Sequence, residues 1–161
     1  MKIHNCLFIK EMARYHQGKF KPLNPQKYVG DVENICYRSS WEVKAMSWLD
    51  RNPSILKWGS EELIIPYISP IDNRVHRYFP DFVMQYKTSK GEVKHAVLEV
   101  KPNAQTQMPK HPGKQTKRYL NEVLTYSVNQ AKWDAAKAWC MKKGWDFVVL
   151  DEYNLGIAKR K

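Results

Sequence analysis

The residues best suited to chemistry fall in two short segments, Tyr78-Phe79-Pro80-Asp81-Phe82 and Leu98-Glu99-Val100-Lys101-Pro102. Asp81 and Glu99 are 99 − 81 = 18 residues apart. A hairpin between them brings both carboxylates to the same end of adjacent strands. Glu99 and Lys101, two residues apart on a strand, share a face with alpha carbons roughly 6.5 to 7 Å apart. Val97 shares that face, and Leu98 and Val100 take the other. A Glu and a Lys among Val, Leu and Val are costly to bury unless they are paired or bind metal. Two carboxylates from different strands suit a hard divalent cation such as magnesium, which takes oxygen ligands. Such an ion stabilises charge on a phosphate and lowers the pKa of a bound water. A lysine beside it orients or helps deprotonate that water, and positive charge nearby favours ionised carboxylates. The competing reading makes Asp81 a turn residue after Pro80, and Glu99 and Lys101 an ion-paired, exposed face of an edge strand.

The elements that must position these groups follow from pattern. Trp41, Ala45, Trp48 and Leu49 recur at helical spacing and predict a helix from about Ser40 to Asn52. Ser39 with Glu42 three residues on matches a capping box, and Pro53 follows the end. Strands are predicted at Ile55 to Trp58, Leu63 to Ile68, Val75 to Tyr86 with a bend at Pro80, and Val93 to Lys101. Ser89-Lys90-Gly91 closes the hairpin between the last two. Pro102 to Gln115 reads as a loop without acids. A helix from Lys117 to Lys143 carries the stripe Leu120, Leu124, Val128, Ala131, Ala135 and Trp139, with Gly144 as its C-cap. Trp145 to Leu150, apolar but for Asp146, reads as a central strand. The order implies one α/β domain, a mixed sheet flanked by helices. Its predicted parts are a basic arm over 1–34 (with a short helix around Leu7 to His16), a core over 35–152 and a basic tail over 153–161.

Composition narrows the partners. The 161 residues carry 27 Lys and Arg against 16 Asp and Glu, a formal charge of +11, which attracts polyanions and nucleic acid first among them. The three cysteines, Cys6, Cys36 and Cys140, are distant in sequence and read as free thiols. The start of the chain has only a short apolar run, Cys6 to Ile9, so neither a signal peptide nor a membrane span is expected. No Gly-rich phosphate loop and no Ser-His-Asp arrangement stands out. His76 and His95 fall on strands read as neighbours, and are taken as structural.

The Pro-Asp, spacer, Glu-x-Lys pattern resembles the signature of the PD-(D/E)xK nuclease superfamily. Its order, with Arg38-Ser39-Ser40-Trp41-Glu42 opening the helix upstream, is similar to the TnsA-like branch. The resemblance implies an α/β restriction-endonuclease-like fold and a metal-dependent DNA endonuclease. It assigns Glu42, Asp81, Glu99 and Lys101 to the active site. Asp81 and Glu99 bind Mg2+, for which Mn2+ can substitute, and the Val100 carbonyl is a further ligand candidate. Size and charge further resemble small nucleases of T-even-type myophages acting in head completion after DNA packaging. That implies capsid or portal-vertex partners, and a place in the host cytoplasm and the virion. One site per chain leaves double-strand cleavage to a homodimer or two successive cuts. Lys110, Lys114, Lys117 and Arg118, on the basic loop and the helix start, are candidates for DNA backbone contact. Gln130 and Lys132 read as surface residues, Lys132 with the second option of projecting toward the site. Rival readings are a non-catalytic DNA-binding virion protein on the same fold and an RNA-binding basic protein.

Overall fold

The computed structural model describes residues 17–159; the helix expected around Leu7 to His16 and the first 16 residues of the basic arm lie outside them. Strands β1 (Gly18–Lys19) and β2 (Cys36–Tyr37) pair antiparallel ahead of helix α1 (Ser40–Arg51). Ser39 starts α1 because its hydroxyl accepts the Glu42 N–H at 3.1 Å. The helix ends at Asn52, before Pro53, with the Asn52 N–H returned to the Trp48 carbonyl. Ala45, Met46 and Leu49 turn inward and are buried.

The central sheet contains β3 (Ile55–Ser60), β6 (Phe82–Lys87), β7 (Val93–Val100) and β8 (Asp146–Leu150), in the order β3-β6-β7-β8. The first three run antiparallel, and β8 joins β7 in parallel through helix α2 (Lys117–Lys143). A separate hairpin, β4 (Ile65–Ile68) and β5 (Val75–Tyr78), packs on α2. This is the α/β mixed-sheet, restriction-endonuclease-like architecture expected. Two cores lie on opposite faces. Ala45, Met46 and Leu49 of α1 meet Trp58, Phe82, Ala96 and Leu98 on one. Trp133 and Ala136 of α2 meet Ile65, Tyr67 and Tyr78 on the other, with Phe147 and Val149 against them.

Four expectations are corrected. The segment Val75 to Tyr86 is two strands in two different sheets, because buried Pro80 has no N–H to offer a ladder. It also puts His76 on the hairpin and His95 in the central sheet. The last strand, β8, is an edge strand rather than a central one. Its apolar run reports side chains packed toward both cores, Leu150 to one and Phe147 and Val149 to the other, not neighbours on both edges. On α2 the buried residues are Asn129, Trp133, Ala136 and Cys140, while Leu120 and Leu124 stand 45% and 48% exposed. A helix of 27 residues is about 40 Å long, so its N-terminal half runs past the core. Finally, Cys140 is a free, buried thiol as expected, but Cys36 is disulfide-bonded.

Candidate active site

The two faces of β7 differ as its alternation requires. Ala96, Leu98 and Val100 face α1, and Glu99 and Lys101 face the α2 side. β7 is an interior strand and Glu99 is only 4% exposed, so the exposed-edge reading is overturned. Phe82 pairs with Leu98, which sets Asp81, just before β6, opposite Glu99. The break at Pro80 makes this possible. It ends the backbone ladder before Asp81, so the Val100 N–H is bonded by a side chain instead, the Asp81 Oδ2 at 2.7 Å. The Asp81 backbone is held as well, its carbonyl accepting the Glu61 N–H at 3.1 Å. Glu61 takes φ +53 to do so, a conformation uncommon for a residue with a side chain.

Burial and the Glu99 carboxylate push the Asp81 carboxyl up to about 7, against the opposing pull of the Val100 N–H and Lys101. Glu42 adds to the upward push. Glu99 is held from two sides: the Tyr78 hydroxyl donates to its Oε2 at 2.7 Å, and Lys101 Nζ lies 3.2 Å from its Oε1. The same contact, with burial as the larger cause, drives the Tyr78 phenol far above its ordinary value. Tyr78 therefore remains a hydroxyl donor and orients Glu99. Lys101 sits at the mouth, its side chain 28% exposed and its N–H bonded to the Leu150 carbonyl at 3.0 Å.

Glu42 keeps its capping role and also borders the site. Its carboxylate accepts from the Arg38 N–H at 2.7 Å and the Ser39 hydroxyl at 3.3 Å. It lines one small cleft with Asp81, Ser60 and Glu61. Lys110, Lys114, Lys117 and Arg118 are all exposed. They lie on the connection that leaves β7 after Lys101 and enters α2. Arg118 is paired with Glu122 at 2.9 Å.

Two residues near the centre were not assigned from sequence. Tyr78 belongs to the segment that carries Asp81, but nothing in its type marked it as a partner of Glu99. Lys132 read as surface first and as projecting toward the site second; the structure follows the second, turning it inward from α2 with its ammonium 5.8 Å from the ring centroids of both Tyr67 and Tyr78. Burial first, then Lys101, pull its pKa down, while Glu99 and Asp81 push it back up. The detectable signal was position, one turn beyond the exposed half of α2. The histidines hold other tasks: His76 pairs with Asp72 at 2.8 Å, and His95 stacks on Trp145.

Among the described residues no group of three or more His, Cys, Asp or Glu side chains converges as a metal cage. The candidate donors are two carboxylates, Asp81 and Glu99, close enough to act on one another. Their oxygens fit a hard divalent cation that keeps waters and takes one or two carboxylates plus substrate phosphate, rather than a cation needing an all-protein shell. The raised Asp81 carboxyl reflects its burial first and the neighbouring Glu99 carboxylate second.

A mixed sheet that brings two carboxylates and a lysine to one strand end fits the PD-(D/E)xK class of nucleases. The family model described as "TnsA-like endonuclease N terminal" matches residues 52–152, and the chain belongs to that family. The matched stretch contains Asp81, Glu99 and Lys101; Glu42 precedes it. The chain is also 42% identical over 144 residues, 87% of its own length and 93% of the relative's, to the "Head completion nuclease" of Enterobacteria phage T4. No solved structure matches. Among the described residues no helix is long and apolar enough to cross a membrane.

Proposed function

We propose that this chain is a magnesium-dependent DNA endonuclease that acts in completion of a phage head, in the manner that the name of its T4 relative describes. The observation that carries the nuclease reading is the buried Asp81–Glu99 pair with Lys101 beside it. Asp81 and Glu99 hold the metal, with the Val100 carbonyl as a further ligand; Mn2+ can replace Mg2+. When bound, the metal supplies charge stabilisation at the scissile phosphate and a more acidic water. Asp81 keeps its second oxygen aimed by the Val100 N–H. Tyr78 fixes the orientation of Glu99. Lys101 lies within reach of both Glu99 and solvent, and it orients the attacking water and takes or returns its proton. Glu42 borders the same cleft and organises the surrounding water. Lys110, Lys114, Lys117 and Arg118 meet the DNA backbone.

The head-completion role in the relative's name supports a setting in which capsid or portal-vertex proteins are partners and host cytoplasm and virion are the places of action; a homodimer serves where both strands are cut. The deciding experiment incubates the protein with supercoiled plasmid and magnesium, beside a chelator control and Asp81→Ala. Cleavage by the wild type alone, lost with chelator, establishes the activity and the site together. DNA binding without cleavage in any divalent metal replaces this reading with a non-catalytic DNA-binding virion protein.

A further inference from the structure

Beside the carboxylates a second feature lies on α2. Asn121, Leu124, Thr125, Val128, Asn129 and Lys132 are spaced i, i+3, i+4, i+7, i+8 and i+11 and occupy one helical face. With Ile71 from the β4–β5 turn they line an open groove of about 330 Å³, within the ~300–1,000 Å³ typical of small-molecule sites. Three observations show that the groove is not ordinary surface. Leu124 on the helix and Ile71 in the turn are large apolar side chains standing 48% and 66% exposed at its rim. The side-chain amide nitrogen of Asn129, a residue 6% exposed, is buried with no hydrogen-bond partner among the described residues. A buried donor left unpaired costs about 1–3 kcal/mol, and a ligand acceptor would remove that cost. Lys132, at the inner end, makes no ion pair among the described residues and is held over Tyr67 and Tyr78. Tyr78 in turn touches Glu99, so the Lys132 end of the groove lies near the proposed catalytic carboxylates, whose charges act on Lys132.

We propose that this groove binds the nucleotide next to the scissile phosphate: Lys132 takes a neighbouring phosphate, Asn129 donates to a base or sugar oxygen, and Leu124, Val128 and Ile71 pack on the sugar and base. The inference rests on the nuclease reading for its ligand, but its test does not require cleavage. Apolar walls with a few placed donors and one cation match a nucleoside phosphate, which is apolar on its base face and sugar edge and anionic at one end. An inorganic anion would leave Leu124, Val128 and Ile71 unused.

The test measures binding of a fluorescent DNA oligonucleotide in calcium at several salt concentrations, alongside magnesium-dependent cleavage. Leu124→Glu puts a charge into the groove; Leu120→Glu puts the same charge one turn away on the same helix, outside it. Both positions are exposed, so both variants fold. Leu124→Glu should weaken binding and raise KM by roughly tenfold, a difference of about 1.4 kcal/mol, with kcat little changed, while Leu120→Glu behaves as wild type. Lys132→Gln should lower the slope of log affinity against log salt by about one, the signature of one lost phosphate contact. Equal binding by the two glutamate variants, or an unchanged salt slope in Lys132→Gln, overturns the proposal. If the wild type never cleaves but Leu124→Glu still binds DNA more weakly than Leu120→Glu, the groove stands and the nuclease reading falls.

Discussion

Asp50 and Asp81 are both withdrawn from water, and they are built to opposite ends. Asp50, on the last turn of α1, is 1% exposed. Its two oxygens accept the N–H groups of Leu23 and Asn24 at 2.8 and 3.1 Å. Around it, the Asn24 side chain and the Lys27 ammonium bond the Asp50 carbonyl at 3.0 and 2.9 Å. Every lone pair that matters is answered, and the carboxylate fastens the segment before α1 onto the helix. Asp81 has one backbone donor, the Val100 N–H, and faces a second acid, Glu99. A satisfied buried acid is a structural clamp; a buried acid beside another, with its proton affinity raised, has the character of a functional group.

Breaking that comparison should separate activity from stability. The largest effect expected is Asp81→Ala, which should cut kcat/KM on plasmid by on the order of 10³-fold or more, because metal ligation supplies several kcal/mol of transition-state stabilisation. Its denaturant midpoint should not fall in chelator. Asp50→Ala should do the reverse. Two backbone N–H groups lose a charged acceptor, which costs about 2–4 kcal/mol of unfolding free energy, readable by urea titration, while turnover per folded molecule stays near wild type. A wild-type midpoint for Asp50→Ala would erase the contrast. Next in size, Lys101→Met should lower kcat by about 10²-fold or more with metal affinity nearly kept, as expected for a proton-handling group; isothermal titration and single-turnover rates divide the two terms.

The pH dependence sharpens the same point. The Asp81 carboxyl rises to about 7 in the folded chain against about 3.9 when unfolded. Between those values the folded state holds a proton that the unfolded chain has released. Stability is therefore greatest below pH 4 for this group and is lost as pH climbs through 7, on the order of 2–4 kcal/mol. Chelator-treated wild type should show that loss in thermal melts, and Asp81→Asn, which keeps an acceptor for Val100, should flatten it. A melting profile identical in the two proteins would mean that neither burial nor Glu99 raises the Asp81 carboxyl. The smallest effect is Tyr78→Phe. It frees one oxygen of Glu99 and should weaken magnesium binding roughly tenfold, at the low end for groups that orient a metal ligand.

Much of this was legible because it is local. The capping Ser39, the stop at Pro53 and the αL Gly144 set both helices nearly to the residue. Period-two spacing put Glu99 and Lys101 on one face of β7 before any strand was paired. The errors came where a pattern has two physical causes. The apolar run of β8 fits a central strand and equally an edge strand covered on both faces. The stripe from Leu120 to Trp139 fits a core-facing helix, but an apolar face records only a capacity for burial. Whether Leu120 and Leu124 use it depends on how far the sheet extends beneath α2, which no window of sequence contains.

The sequence by itself determined the elements, the motif order from Glu42 through Asp81 and Glu99 to Lys101, and the basic charge, since each depends on spacing or composition along the chain. The tertiary structure alone decided that Pro80 divides one apparent strand between two sheets, that Tyr78 reaches Glu99 and that Lys132 turns in from 31 residues beyond Lys101. It also decided how hard Asp81 is pressed by its neighbour. Those are properties of packing between distant segments, and desolvation and charge proximity have no value until the segments meet.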